Sequence, residues 1–211
     1  MQRFKDPVSG FSHLVGLGLA VTGVAWLFAR HFDGARPNAA LCIYGASLIA
    51  LYAASSAYHL VVAGERATRA LRALDHLAIF LLVAGTCTPI FYDAFDGLQR
   101  TVMLSVIWGA AILGVVLRLT WRGAPRSVYT ALYVAMGWMV LLRWHDVLRA
   151  LPTTALVLVL AGGVTYTLGA VVYATRRPNP FPRFFGFHEI WHLFVLGGSA
   201  FHFAAVASLV R

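Results

Sequence analysis

Seven stretches of this chain are apolar and long enough to cross a bilayer, near residues 11–30, 39–63, 73–93, 101–121, 127–144, 153–175 and 186–209. A hydrocarbon core demands about 17 to 25 residues of helix per crossing, and inside it every backbone amide must find its partner within the segment. The pattern predicts an all-α membrane protein of seven transmembrane helices, forming one domain over residues 1–211. With 60% hydrophobic and only 12% charged residues, the chain lies far from the balance of soluble domains. The fifth stretch is free of charge only between Arg126 and Arg143, whose side chains must reach toward the headgroups.

Basic residues orient the segments. With the amino terminus inside, the cytoplasmic set is Arg3, Lys5, Arg66, Arg69, Arg72, Arg118, Arg122, Arg126, Arg176, Arg177 and Arg183, against Arg30, Arg36, Arg100, Arg143, Arg149 and Arg211 outside. Eleven of 17 on one side predicts a cytoplasmic amino terminus and an external carboxyl terminus. The net charge of +9 comes from singles and pairs beside apolar runs, so no nucleic-acid surface is expected. Met1-Gln2-Arg3-Phe4-Lys5 followed by an apolar run resembles a signal peptide, but no small-residue cleavage site follows and the run is long enough to span. It is expected to be retained.

This topology sorts the polar residues. The second segment runs inward and carries Ser55 and His59 near its finish, the third begins inside with Asp75 and His76, and the seventh begins inside with His188 and His192. All then share one depth, near the cytoplasmic face. Ionisable groups inside membrane segments are costly enough that function is the default reading.

His188 and His192 stand four residues apart, on one helical face with about 6 Å of rise between them, which suits two ligands of one metal ion. With His59 they make three neutral nitrogen donors and leave a coordination position for water, the pattern of a catalytic zinc site. Imidazole also suits iron, copper or nickel, so zinc is a preference. Asp75 is placed either to bind the metal or to hold and deprotonate its water, and Ser55, one turn before His59, to hydrogen-bond a ligand or a developing oxyanion. His188-Glu189-Ile190-Trp191-His192 also fits the H-E-x-x-H pattern in which glutamate is the general base. Glu189 lies about 100° round the helix from His188, so Asp75, arriving from another helix, is favoured as the base.

Other residues read as structure. Gly16, Gly18, Gly23, Gly109, Gly114, Gly162, Gly163, Gly169, Gly197 and Gly198 offer small surfaces for close helix approach. Gly85-Thr86-Cys87-Thr88-Pro89 should bend the third helix, with the two threonine hydroxyls satisfying carbonyls freed by Pro89. The tryptophans read as interface anchors and packing residues, and Cys42 and Cys87 as small core residues without a redox motif. His202 lies about 15 Å along the axis from His192, too far to share an ion. His13 and His76 remain candidates for supporting the ligands, while His31 and His145 lie in loops.

Asp6-Pro7-Val8-Ser9-Gly10, Ser55-Ser56-Ala57-Tyr58-His59, Asp75-His76-Leu77-Ala78-Ile79-Phe80 with Ala84-Gly85-Thr86-Cys87-Thr88-Pro89, and Phe187-His188-Glu189-Ile190-Trp191-His192 with Phe201-His202-Phe203 resemble, in order, the signatures of the bacterial hemolysin III family. That family belongs to the progestin and adiponectin receptor group, in a superfamily that includes alkaline ceramidases. The resemblance covers nearly the whole chain. It implies seven helices in a bacterial cytoplasmic (inner) membrane, amino terminus in, with zinc held by His59, His188 and His192, Asp75 contacting it through water and Ser55 nearby. Glu189 matches a position where the receptors differ. Cys87 departs from a tyrosine common in bacterial members, about 18 Å along the helix from Asp75.

Two functions are expected from these residues. One is a metal-dependent lipid amide or ester hydrolase acting near the cytoplasmic leaflet, with membrane lipids as substrates. The alternative is a non-enzymatic, zinc-stabilised sensor or regulator of membrane lipid state. A pore-forming cytolysin is discounted, because no amphipathic soluble form is evident in the sequence.

Overall fold

A computed structural model of the chain describes residues 4–31, 39–121, 123–182 and 184–209. Of the residues used above to orient the chain, Arg3, Arg36, Arg122, Arg183 and Arg211 lie outside the described residues, as does the side chain of His31. Among the described residues the fold is all-helical: α1 (Pro7–His31), α2 (Ala39–Leu60), α3 (Glu65–Ala94), α4 (Gly97–Thr120), α5 (Arg126–Gly137), a 3-10 helix (Trp138–Arg143), α6 (Trp144–Ala150), α7 (Thr153–Thr175) and α8 (Phe187–Leu209). Six of these, α1 to α4, α7 and α8, are long and apolar enough to cross a membrane. The chain is an integral membrane protein. Val15, Leu19, Leu98, Ile112 and Leu142 are each more than 55% exposed, an arrangement that only a lipid environment makes favourable.

The fifth stretch differs from the single helix expected over 127–144. The α-helical ladder stops at Gly137, tightens into the 3-10 helix, and resumes as α6, so three short pieces run from Arg126 to Ala150. Glycine weakens the α ladder where it sits. From Arg143 on polar contacts appear: Asp146 accepts from Arg143 at 2.7 Å and from Gln99 at 2.8 Å.

The third helix begins eight residues before the expected 73, at Glu65. Residues 65–72 are Glu, Arg, Ala, Thr, Arg, Ala, Leu and Arg, mostly strong helix formers, so a polar extension projects beyond the apolar run. Pro89 lies inside the helix, which continues to Ala94. The Thr88 hydroxyl donates to the Ala84 carbonyl at 2.7 Å and accepts the Trp108 indole N–H at 3.2 Å, tying α3 to α4.

Two apolar clusters flank α3. One joins it to α4, α5 and α7 through Phe80, Phe91, Ile107, Tyr133 and Ala155. The other joins α1, α2 and α8 to the opposite side through Val24, Tyr44, Leu48, Leu82 and Val195. Several expected small surfaces are used. A Cβ on Gly198 would lie 2.8 Å from the Tyr166 ring, and one on Gly16 2.7 Å from that of Tyr52. Gly18 and Gly109 have nothing within 4 Å, so they are not helix contacts.

Between α7 and α8 the backbone turns at Arg176 (φ 59°), and Phe181 pairs with Phe185 in an isolated antiparallel bridge. The Asn179 side chain accepts the Phe187 N–H at 3.3 Å, which sets the angle at which α8 starts.

Candidate metal centre

The ends of four helices meet: the starts of α1, α3 and α8 and the finish of α2. They meet because the backbone closes there. Pro7 opens α1 at its first position, where an N–H would have no partner within the helix, and the preceding Asp6 donates its N–H to the carbonyl of His59 at 2.9 Å. Gly10 packs against Leu60 and the Cβ of His59, so α1 lies directly on the last turn of α2.

Three imidazoles converge there. His59 from α2 and His188 and His192 from α8 offer nitrogen atoms that all lie within 4.8 Å of one another. Nε2 of His59 and Nε2 of His188 are 3.4 Å apart, close to the roughly 3.3 Å that two nitrogens at tetrahedral zinc would show. His59 and His192 are both 2% exposed.

Hydrogen bonds set the tautomers. Nδ1 of His59 donates to Asp6 Oδ2 at 3.1 Å, and Nδ1 of His192 to the Ser9 carbonyl at 3.2 Å. A carbonyl only accepts, so His192 must carry its proton on Nδ1 and present Nε2 as a lone pair. The carboxylate asks the same of His59. Lone pairs brought this close repel unless something positive lies between them. His13, 3% exposed, stacks on His192 with ring centroids 3.8 Å apart, which limits how that ring can turn.

A family model described as Haemolysin-III related matches residues 1–203. The chain belongs to the haemolysin III family. It is similar to Hemolysin-3 of Bacillus cereus, with 32% identity over 204 residues covering 96% of this chain and 90% of that one. It is also similar to the human Monocyte to macrophage differentiation factor, with 27% identity covering 96% and 83%. Rice Heptahelical transmembrane protein ADIPOR2 is 28% identical over 78% of this chain and 79% of its own.

In this haemolysin III protein, Ser55 and Asp75 line the same cavity as the three imidazoles. Ser55 is 1% exposed and stands one turn before His59. Asp75 is outside the close-set group of donors, with Oδ2 at 3.7 Å from Nδ1 of His76. His76 donates from that nitrogen to the Arg72 carbonyl at 2.7 Å.

Glu189 has other work. Its Oε1 accepts from the Ser9 hydroxyl and its Oε2 from the Gly186 N–H, both at 2.8 Å, so it fastens the start of α8 to the start of α1. His202 donates to the Gly198 carbonyl at 2.9 Å and lies outside the donor group.

Two contributors carried no assigned role in the sequence, Asp6 and Ser9. Their signal was the acid before Pro7 at a helix start, but partners 53 and 183 positions away leave no local trace.

The cavity extends from the imidazoles into the bundle, with a volume of about 680 Å³. Residues of α1 to α5, the 3-10 helix, α7 and α8 line it. Leu51, Leu82, Val134, Val140, Val159 and Ala170 supply apolar wall. A space of this size, apolar with a few convergent polar groups, is typical of a site for one small molecule.

Proposed function

We propose that this chain is a zinc-binding haemolysin III protein that hydrolyses an amide or ester bond of a membrane lipid near the cytoplasmic leaflet of the bacterial inner membrane. The fifth stretch completes seven crossings in this reading, with the amino terminus inside. The observation that carries the proposal is the convergence of His59, His188 and His192 in a largely apolar cavity that Asp75 and Ser55 also line.

The donor set fits zinc. Three neutral imidazoles, two with their tautomer fixed by Asp6 and Ser9, make a three-nitrogen site with a free position. Bound there, zinc would polarise a carbonyl and make a water acidic enough to attack at neutral pH.

The chain's own groups do the rest. The cavity walls take the acyl chain and hold the scissile bond at the imidazole end. Asp75 accepts the proton of the attacking water and returns it to the leaving nitrogen or oxygen; one C–O bond forms and the C–N or C–O bond to the leaving group breaks. The Ser55 hydroxyl donates toward the carbonyl oxygen as charge builds on it.

The test is turnover of mixed ceramides and phospholipids by purified, zinc-loaded protein. Metal-dependent release of fatty acid that Asp75→Asn abolishes supports the reading; zinc bound with no turnover across the lipid classes overturns hydrolysis. A regulatory reading has its own supporting observation, since the Asp6, Ser9 and Glu189 contacts lock α1, α2 and α8 around the imidazoles. On that reading zinc governs helix packing, and Asp75→Asn changes helix spacing with no turnover to lose.

A further inference from the structure

Three arginines line the cavity beside the imidazoles, Arg72, Arg118 and Arg126, from α3, α4 and α5. None forms an ion pair with a carboxylate among the described residues. Asp6, Asp75 and Glu189 line the same cavity, none of them within ion-pair distance of these arginines. Asp6 faces Lys5 and His59, Asp75 stands beside His76, and Glu189 holds Ser9 and Gly186. Arg118 and Arg126 are half-buried and Arg72 is exposed, so the first two are partly withdrawn from water, which is costly for a guanidinium without a partner.

Each arginine is braced by a tyrosine rather than neutralised. Arg72 donates from Nε to the Tyr58 hydroxyl at 2.8 Å. Arg118 lies 5.3 Å over the Tyr129 ring, and Arg126 5.0 Å over that of Tyr173. Nε of Arg118 is buried with no hydrogen-bond partner, although guanidinium has five donors to satisfy. The braces also set how near the charges come to the imidazoles. Tyr173 is 6.0 Å from the ring of His188, and Tyr58 4.6 Å from that of His59, so Arg126 and Arg72 stand about one aromatic ring away.

We propose that Arg118 and Arg126, with Arg72, bind a phosphate group inside the cavity, and that the lipid it receives is phosphate-headed. Planar guanidinium forks match phosphate oxygens in pairs. A phosphate held there leaves the glycerol-linked or amide-linked carbonyl within reach of the imidazole end, with the acyl chain along the apolar wall. The inference rests on the hydrolase reading for its placement of substrate, but not for binding itself.

The experiment measures lipid binding by native mass spectrometry of the purified full chain, without turnover. Probes are phosphatidic acid, a diacylglycerol with the same chains, and inorganic phosphate competing against phosphatidic acid. Phosphatidic acid should bind at least about tenfold tighter than diacylglycerol, the effect of one or two charge-assisted hydrogen bonds. Arg118→Gln and Arg126→Gln should each erase most of that preference, Arg118→Lys should retain part, and Arg66→Gln, exposed on α3 outside the cavity, should leave it intact. Competition by inorganic phosphate assigns the site to the phosphate group itself; its failure, with the lipid preference kept, assigns it to the lipid-borne form. Equal affinity for the charged and neutral lipids in the unaltered protein, or a preference that survives Arg118→Gln and Arg126→Gln together, would overturn the proposal. His188→Ala separates the two readings: it should abolish metal binding and turnover while the preference for phosphatidic acid persists.

Discussion

Asp6 Oδ2 lies 3.1 Å from Nδ1 of His59, joining the residue before α1 to the last turn of α2 across 53 positions of sequence. A carboxylate on the far nitrogen of a ligating imidazole fixes the ring and raises its basicity, and losing such a partner typically costs about 10- to 100-fold in metal affinity. Asp6→Ala should weaken zinc binding by that order while leaving one site per chain, as read by chelator competition. Unchanged affinity would mean that the contact only closes the backbone.

Removing a ligand should do more. His59→Ala or His192→Ala should bring bound zinc in the purified protein down from one equivalent to near none, by elemental analysis. Chelation of the unaltered protein should lower its unfolding temperature in detergent, and added zinc should restore it, because metal that binds only the folded chain stabilises it by mass action. The triad joins α2 to α8, so the unfolding of those two helices should respond first.

Asp75→Asn keeps the shape of the side chain and removes its proton acceptor. Loss of a positioned general base typically costs about 10² to 10⁴ in rate, so turnover should fall by that amount with zinc content unchanged. Ser55→Ala should cost less, on the order of tenfold to a hundredfold, if its hydroxyl meets only the developing charge.

Glu189→Gln separates a clamp from a base. With its oxygen on the Gly186 N–H and its nitrogen donating to the Ser9 hydroxyl, which can accept as well as donate, the amide keeps both contacts, so turnover and zinc content should both stay near those of the parent protein. Glu189→Ala, which frees both donors, should destabilise the start of α8 by about 1 to 3 kcal/mol, measured by thermal unfolding. Loss of turnover in the Gln variant with zinc retained would restore Glu189 to the chemistry.

Gly198→Val would place its Cβ 2.8 Å from the Tyr166 ring, between α7 and α8. Overpacking of this kind costs about 1 to 3 kcal/mol. The same change at Gly109, which faces open space, should be nearly neutral in the same unfolding assay.

Much of this was already legible along the chain. Apolar length alone called for membrane helices, and charge bias placed His59, Asp75 and His188 at one depth, because both are properties of short windows. The fifth stretch defeated the same logic. Its apolar count says nothing of Gly137 and the 3-10 helix that follows, where local geometry rather than hydropathy sets the path. Glu189 misled for a related reason: its spacing fits the glutamate of a protease motif, yet which way a carboxylate points depends on Ser9, 180 residues earlier.

By itself the sequence determined the class of protein, the family and the three imidazoles, since those follow from composition, periodicity and residue order. Only the tertiary structure decided which nitrogen His59 and His192 present, that Asp6 and Ser9 hold them, and that arginines from α3, α4 and α5 share their cavity. Hydrogen bonds and electrostatic fields act through space over a few ångströms, and residues that distant in sequence become neighbours only when the helices pack.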